Sequence, residues 1–237
     1  MKYRLTDETI EKDGITLHRI QATKDFGDVC KGDLGGFVED EKNLSHEGNA
    51  WVYGDAKVYG NAKVYDDARV YDNAWVLDEA EVYGKALVYG NARICDNAKV
   101  HDNAEVCDKA RVYGKAKVCG YALVYDEAKI CDNAEVYGYA EVYDVARVYG
   151  EALIYGEAEV YGNVKVCGNA WVFGKAKVYD EAWVFGKAKV CGNAKVHGDA
   201  KVCNKARVYG NARVYNNWVY GNAQVCDKAK VDMDVHR

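Results

Sequence analysis

The sequence predicts an all-β fold, one long parallel β-solenoid with a small N-terminal cap, on three observations. A Val or Ile recurs every six residues from Val52 to Val214. Small residues hold fixed places around it, with Ala two positions before and Gly, Asp or Asn two positions after. The composition also shifts near residue 48. All four threonines (Thr6, Thr9, Thr16, Thr23) precede that point, and Tyr, Val, Ala, Gly, Lys and Asn dominate beyond it.

The repeating unit is A-x-V-Y-[G/D/N]-x, running from about Ala50 to Val231, with Val164 in place of one Ala. Ala and Val share parity, so in an extended segment both face one side, and the residues next to them face the other. Gly, Asp and Asn are the residues that accept positive φ most readily, which places a corner after each short strand. One hexad cannot bury its Ala/Val side alone, but stacked hexads in a coiled chain can. A helix is excluded because a period of six scatters the markers over several helical faces, and the recurrent Gly or Asp weakens any helix.

Residues 1–47 form the predicted cap, and residues 48–237 the solenoid. Asp13-Gly14 followed by Ile15, Leu17 and Ile20 predicts a hairpin, and Leu34, Val38 and Leu44 predict an irregular first coil. Such a plug is needed because an open solenoid edge pairs with other chains. In Val214-Tyr215-Asn216-Asn217-Trp218-Val219 the marker step falls to five, which predicts a bulge or tight corner. The acids alternating in Val231-Asp232-Met233-Asp234-Val235 are expected to blunt the far edge.

The hexad resembles the repeat of the left-handed parallel β-helix proteins, in which three hexads make one triangular coil. The resemblance implies left-handedness, about ten coils and a rod of roughly 50 Å at about 4.8 Å per rung. The Tyr after the aliphatic position departs from the usual smaller residue. With the start DFGDV…GDLGGFVE…NLSHEGNAWVYG, it is similar to uncharacterised Tyr-rich hexapeptide-repeat proteins of phages and prophages.

If three hexads close a coil, equivalent positions of successive coils stack and the outward positions sort onto three faces. The first carries Lys57, Trp75, Arg93, Arg111, Lys129, Arg147, Lys165, Trp183 and Lys201, with no acid. The second includes Glu81 and Glu135 among its cations. The third, starting at Trp51, includes Glu105, Glu141 and Glu159. Like charges on neighbouring strands repel. Either the first-face side chains splay apart and use corner acids such as Asp55, Glu127 and Glu181, or the face is a linear anion-binding stripe. Beside it, cysteine and aromatic residues alternate from Cys95 through Tyr113, Cys131, Tyr149, Cys167 and Phe185 to Cys203. Cysteines two rungs apart, roughly 9.6 Å, lie beyond disulfide reach, so small beside large reads as a packing solution.

Several function classes lose support. There is no CxxC, no Cys/His cluster at metal-ligand spacing and no cofactor motif. No apolar run or leader pattern calls for a membrane, so the expectation is a reducing cytoplasm, or a virion for a phage product. The net charge of -5 argues against high nucleic-acid affinity. The resemblance brings acyltransferases into view, since many hexapeptide-repeat enzymes use a histidine base at a subunit interface. Here His18 and His46 lie in the cap, His236 at the tail, and His101 and His197 on different faces, with no loop inserted between Ala50 and Val214. His101 is the enzyme candidate of this set. Ice binding is excluded by the absence of threonine from the repeat, and calcium-binding nonapeptide rolls by the period. The reading is a non-enzymatic structural or interaction rod. It would bind a protein partner or polyanion through a flat face, or self-associate as a trimer or polymer through its tyrosine ladders.

Overall fold

The computed structural model describes residues 1–231 and 233–236. Strands β1 (Tyr3–Lys12) and β2 (Ile15–Ala22) form an antiparallel hairpin, followed by β3 (Leu34–Val38) and a short 3-10 turn at Glu41–Asn43. Asp13 and Gly14 both take positive φ (52° and 79°), the tight turn that matches strand twist. From Trp51 onward, short strands centred on each Val recur at nearly every hexad and stack in parallel into three sheets; with the antiparallel β1–β3 added to the first, these have fourteen, eleven and ten strands. That is about eleven rungs, one more than expected. The cap supplies the beginning of the first, because Phe37 and Val38 pair with Lys57 and Val58, and Leu44 bridges Val64.

Neighbouring rungs are offset by one coil of three hexads, as in Arg93↔Arg111 and Val88↔Val106. Strand and corner amides both donate to the next rung. Arg111, Tyr113 and Lys115 N–H reach the carbonyls of Ala128, Ile130 and Asp132 at 2.9, 3.0 and 2.6 Å. Inside, the Ala/Val rows from Ala50 to Ala223 form one continuous core of fully buried side chains.

The corners carry a bond that the pattern did not announce. Asp residues there take φ near +60°, and the side chain accepts the amide of the corner residue one rung on. Asp96 Oδ2 accepts from Gly114 N at 2.8 Å, Asp132 from Gly150 at 2.9 Å and Asp144 from Gly162 at 2.9 Å. An exposed corner amide is thereby satisfied by a charge-assisted bond.

The first rung is closed at each of its three alanine carbonyls. Lys2, 1% exposed, sends its Nζ to Ala50 O at 2.8 Å, and burial pushes its pKa down to about 8. Fully buried Asn43 donates to Ala62 O at 2.9 Å, and Phe37 N–H donates to Ala56 O at 2.9 Å. β3 can cross the mouth of the coil only because it contains Gly35-Gly36, where a Cβ on Gly36 would sit 2.5 Å from Ala56 O. Two expectations change at this end. Leu34 is 56% exposed instead of in the first coil's core. Trp51, placed outward on the third face, is buried because Tyr3 and Phe26 pack edge-on against it.

The five-residue step is a tight corner. Asn216 turns at φ 57°, and Asn217 stands in the Ala slot, its carbonyl accepting Lys201 N at 3.0 Å. The Asn217 side chain spans the corner to Tyr215 O and Val231 O. At the far edge, Asp234 accepts the Trp218 amide at 2.8 Å, while Asp232 lies outside the described residues.

Candidate functional site

All nine first-face residues fall on one ladder, paired Lys57↔Trp75↔Arg93↔Arg111↔Lys129↔Arg147↔Lys165↔Trp183↔Lys201. The ladder is longer than expected. Lys201 continues to Trp218, and at the other end Lys57 pairs with Phe37 and Phe37 with Arg19. Counting in whole coils misses Trp218 because of the five-residue step, whereas alignment on the aliphatic marker finds it just before Val219.

The two ends of the ladder relieve charge through aromatic rings. Lys12, Lys57 and Arg93 surround Trp75 at 4.7, 5.8 and 4.4 Å from the ring centroid. Lys165 and Lys201 flank Trp183 at 5.4 and 5.9 Å, and Lys201 also reaches Trp218 at 4.5 Å. Such contacts stabilise by about 0.5–1 kcal/mol at exposed sites. The hairpin also lies over the first rungs, where Leu17, Phe37 and Tyr59 form a second small core. Lys57 is partly covered there. Its Nζ donates to Asp55 O, and burial lowers its pKa against the raising effect of Asp55.

Between the two tryptophans the run Arg93, Arg111, Lys129, Arg147, Lys165 has no ion pair among the described residues. The corner acids are engaged elsewhere or unpaired. Asp55 pairs with Arg19 and Glu127 with Lys109, and Glu181 has no ion pair among the described residues. The other faces neutralise cations within their own ladders, through Lys99–Glu81 at 3.1 Å and Lys117–Glu135 at 2.9 Å on the second and Lys177–Glu159 at 2.7 Å on the third. At the foot of the open run, a cleft of about 340 Å³ lies between Asp13 at the hairpin tip and Arg93 and Arg111, and Leu77 and Tyr113 also line it.

The thiols beside this run are packing groups. The nine cysteines are free, and burial, with Asp96 adding to it, pushes Cys95 up to about 11. Burial also raises Cys131 and Cys203. A reactive thiol needs the opposite shift. Trp183 Nε1 donates to Cys167 Sγ at 3.4 Å, so a small side chain on one rung receives the edge of a large one on the next.

On the third face, Tyr125, Tyr143, Tyr161, Tyr179, His197 and Tyr215 form an unbroken stack with centroids 4.7–5.1 Å apart. Burial holds the His197 pKa below its ordinary value, against Asp180 at 3.7 Å. His101 stacks on Tyr83 in the same way. His46 differs from both in bordering a cleft. It lines a cavity of about 480 Å³ with Glu41, Lys63 and Glu81, and its Nε2 sits 3.7 Å from Glu41. Lys2 N–H donates to its Nδ1, and Tyr3 stacks on its ring. Nothing in the sequence pattern signalled this pairing of a cap histidine with a cavity, because the cap has no repeat. Among the described residues, no helix is long and apolar enough to cross a membrane.

Comparison with known proteins agrees with the architecture. The family described as "YdcK Beta solenoid repeat" matches residues 62–78 and 206–222, the second stretch spanning the five-residue step. The chain is also 40% identical over 60 residues to the "Uncharacterized acetyltransferase YdcK" of Escherichia coli (strain K12), a match covering 22% of this chain and 18% of that protein. Sheets, register and repeat therefore converge, and the chain is a β-solenoid repeat protein of about eleven turns.

Proposed function

We propose that this chain is a non-enzymatic binding rod whose first face takes a linear anionic partner. The observation that carries the reading is the run Arg93–Arg111–Lys129–Arg147–Lys165, five successive cations without an ion pair among the described residues, on a protein whose net charge is -5 and whose other two faces interleave acids that pair with Lys99, Lys117 and Lys177. Five rungs, four steps of about 4.8 Å, make a cationic track of roughly 19 Å. Its position is held by a stiff ladder, so a linear partner meets charges already aligned, and the cleft beside Arg93 offers a place to seat its end.

The test is titration of a labelled polyanion, such as heparin or polyglutamate, at several salt concentrations. Wild type is expected to bind at low salt and release as salt rises. Arg93→Glu with Arg111→Glu and Arg147→Glu is expected to abolish binding, because the track then carries three anions where it carried three cations. Binding that survives the triple reversal, or no binding to any polyanion at low salt, sinks the proposal.

A second reading is acyl transfer, favoured by the partial likeness to the Escherichia coli protein named an uncharacterized acetyltransferase and by the cavity beside His46. A general base needs a partner and a cleft. His46 borders the cavity with Glu41 3.7 Å from its Nε2, but its Nδ1 already accepts from Lys2 N–H and must give up that bond to act as a base, whereas His101, the candidate from sequence, has only its aspartate. Under this reading acetyl-CoA binds in calorimetry, and His46→Ala removes turnover while His101→Ala retains it. Under the binding-rod reading the protein takes up no acetyl-CoA.

A further inference from the structure

We propose that His101, Asp102 and Cys119 form a binding site on the second face for a divalent cation of the zinc class. Cys119 stands one rung above His101, and the coil brings an imidazole nitrogen, a thiol sulfur and a carboxylate oxygen within 4.8 Å of one another. Short metal-ligand spacings do not show this, because the thiol lies a full coil away from the imidazole along the chain. The donor types are those zinc prefers, and tetrahedral bonds of about 2.0–2.3 Å set donors roughly 3.3–3.8 Å apart. His101 Nδ1 and Asp102 Oδ2 are already 3.3 Å apart, so a small movement of the sulfur completes three corners of a tetrahedron. The Asp102 side chain is about half exposed, which leaves a fourth position to water.

Two of the ligands are held in place by groups that are not ligands. Tyr83 stacks on the His101 ring at 4.7 Å and 8°, fixing its plane. Gly120 N–H donates to Asp102 Oδ2 at 3.1 Å, fixing the carboxylate and holding its pKa below the ordinary value. Pre-oriented ligands of this kind raise metal affinity. Charge is favourable too, since Glu135 also stands near the thiol, with Lys117 tied to Glu135 at 2.9 Å. A thiol binds a metal of this class as the thiolate, so metal binding displaces the Cys119 proton to solvent.

The rest of the molecule supplies comparisons. His197 is also stacked on a tyrosine and near an aspartate, but its neighbours on the ladder are Tyr179 and Tyr215, so no thiol completes a set. Asp78, Cys95 and Asp96 make a second cluster, which has no imidazole.

The test uses the reduced 237-residue chain freed of metal and titrated with Co(II), then with Zn(II) in competition. Wild type is expected to develop a sulfur-to-cobalt charge-transfer band that saturates at one equivalent, is displaced by Zn(II), and is accompanied by release of one proton. Cys119→Ser is expected to abolish the band, and His101→Ala to weaken binding at least tenfold. His197→Ala and Cys95→Ser are expected to leave band and stoichiometry unchanged, with far-ultraviolet circular dichroism confirming that each variant is folded. The proposal is overturned if stoichiometric Co(II) gives no band, if the band persists in Cys119→Ser, or if it is lost in Cys95→Ser.

Discussion

Ile130→Ala is expected to lower the unfolding free energy by about 2–5 kcal/mol, the usual cost of truncating a fully buried aliphatic chain. Ile130 is 0% exposed in the middle of the first sheet, between Val112 and Val148 on the adjoining rungs. Removing its side chain leaves a void that rigid sheets on three sides cannot collapse into. Ile130→Val is the control. Val occupies the equivalent slot one rung either way, so the expected cost is about 0.5–1.5 kcal/mol. Because each rung touches only its neighbours, the loss should be local as well as global. Hydrogen exchange is expected to speed up at the amides of rungs 111–148 before it does so near the cap. Denaturant unfolding that gives equal midpoints for Ala and Val would contradict a packed core at this position.

The second large effect is expected at the corners. Gly150 has φ +73°, and a Cβ there would lie 2.9 Å from Gly168 N on the next rung. Gly150→Val therefore combines a left-handed backbone, a β-branched side chain and a collision with main chain that has little freedom to move. About 3 kcal/mol of destabilisation is expected. Asp144 tests the other corner device. It accepts Gly162 N at 2.9 Å with φ 58°. Asp144→Asn keeps both the acceptor and the tolerance for this backbone, and is expected to stay within about 0.5 kcal/mol. Asp144→Ala loses both, at about 1 kcal/mol for the bond and roughly 1 for the backbone. Thermal melts of the three variants rank them, and an Ala variant as stable as Asn would show that the corner carboxylates contribute nothing.

The alternation of Gly with Asp and Asn was visible in the repeat, but only as tolerance for positive φ. That corner Asp residues such as Asp96, Asp132 and Asp144 also cap an amide one rung away became visible when the rungs were stacked, because donor and acceptor lie a full coil apart along the chain. The same holds for the first face. Its membership follows from counting, since a ladder of equivalent positions is fixed by the coil length. What relieves its charge does not follow from counting. The corner acids looked available, yet Glu127 pairs with Lys109 and Asp55 with Arg19, while Trp75 and Trp183 take up the end cations through their ring faces. Trp75 further depends on Lys12 of the hairpin, a contact between segments with no shared periodicity.

By itself, the sequence determined the inside of this protein. A six-residue alternation of Ala and Val with corner residues permits one arrangement that buries every apolar side chain of the repeat interior, and parity alone says which residues those are. The tertiary structure decided what meets from one coil to the next and what the aperiodic cap covers. It tied Lys2 and Asn43 to the open carbonyls of the first rung, set His46 beside a cavity, joined His101 and Asp102 to Cys119, and left five first-face cations without an ion pair among the described residues. The physical reason is one of range. Burial is dictated by local alternation, whereas hydrogen bonds, ion pairs and metal-ligand sets depend on atoms a few ångströms apart in space that only the winding of the chain brings together.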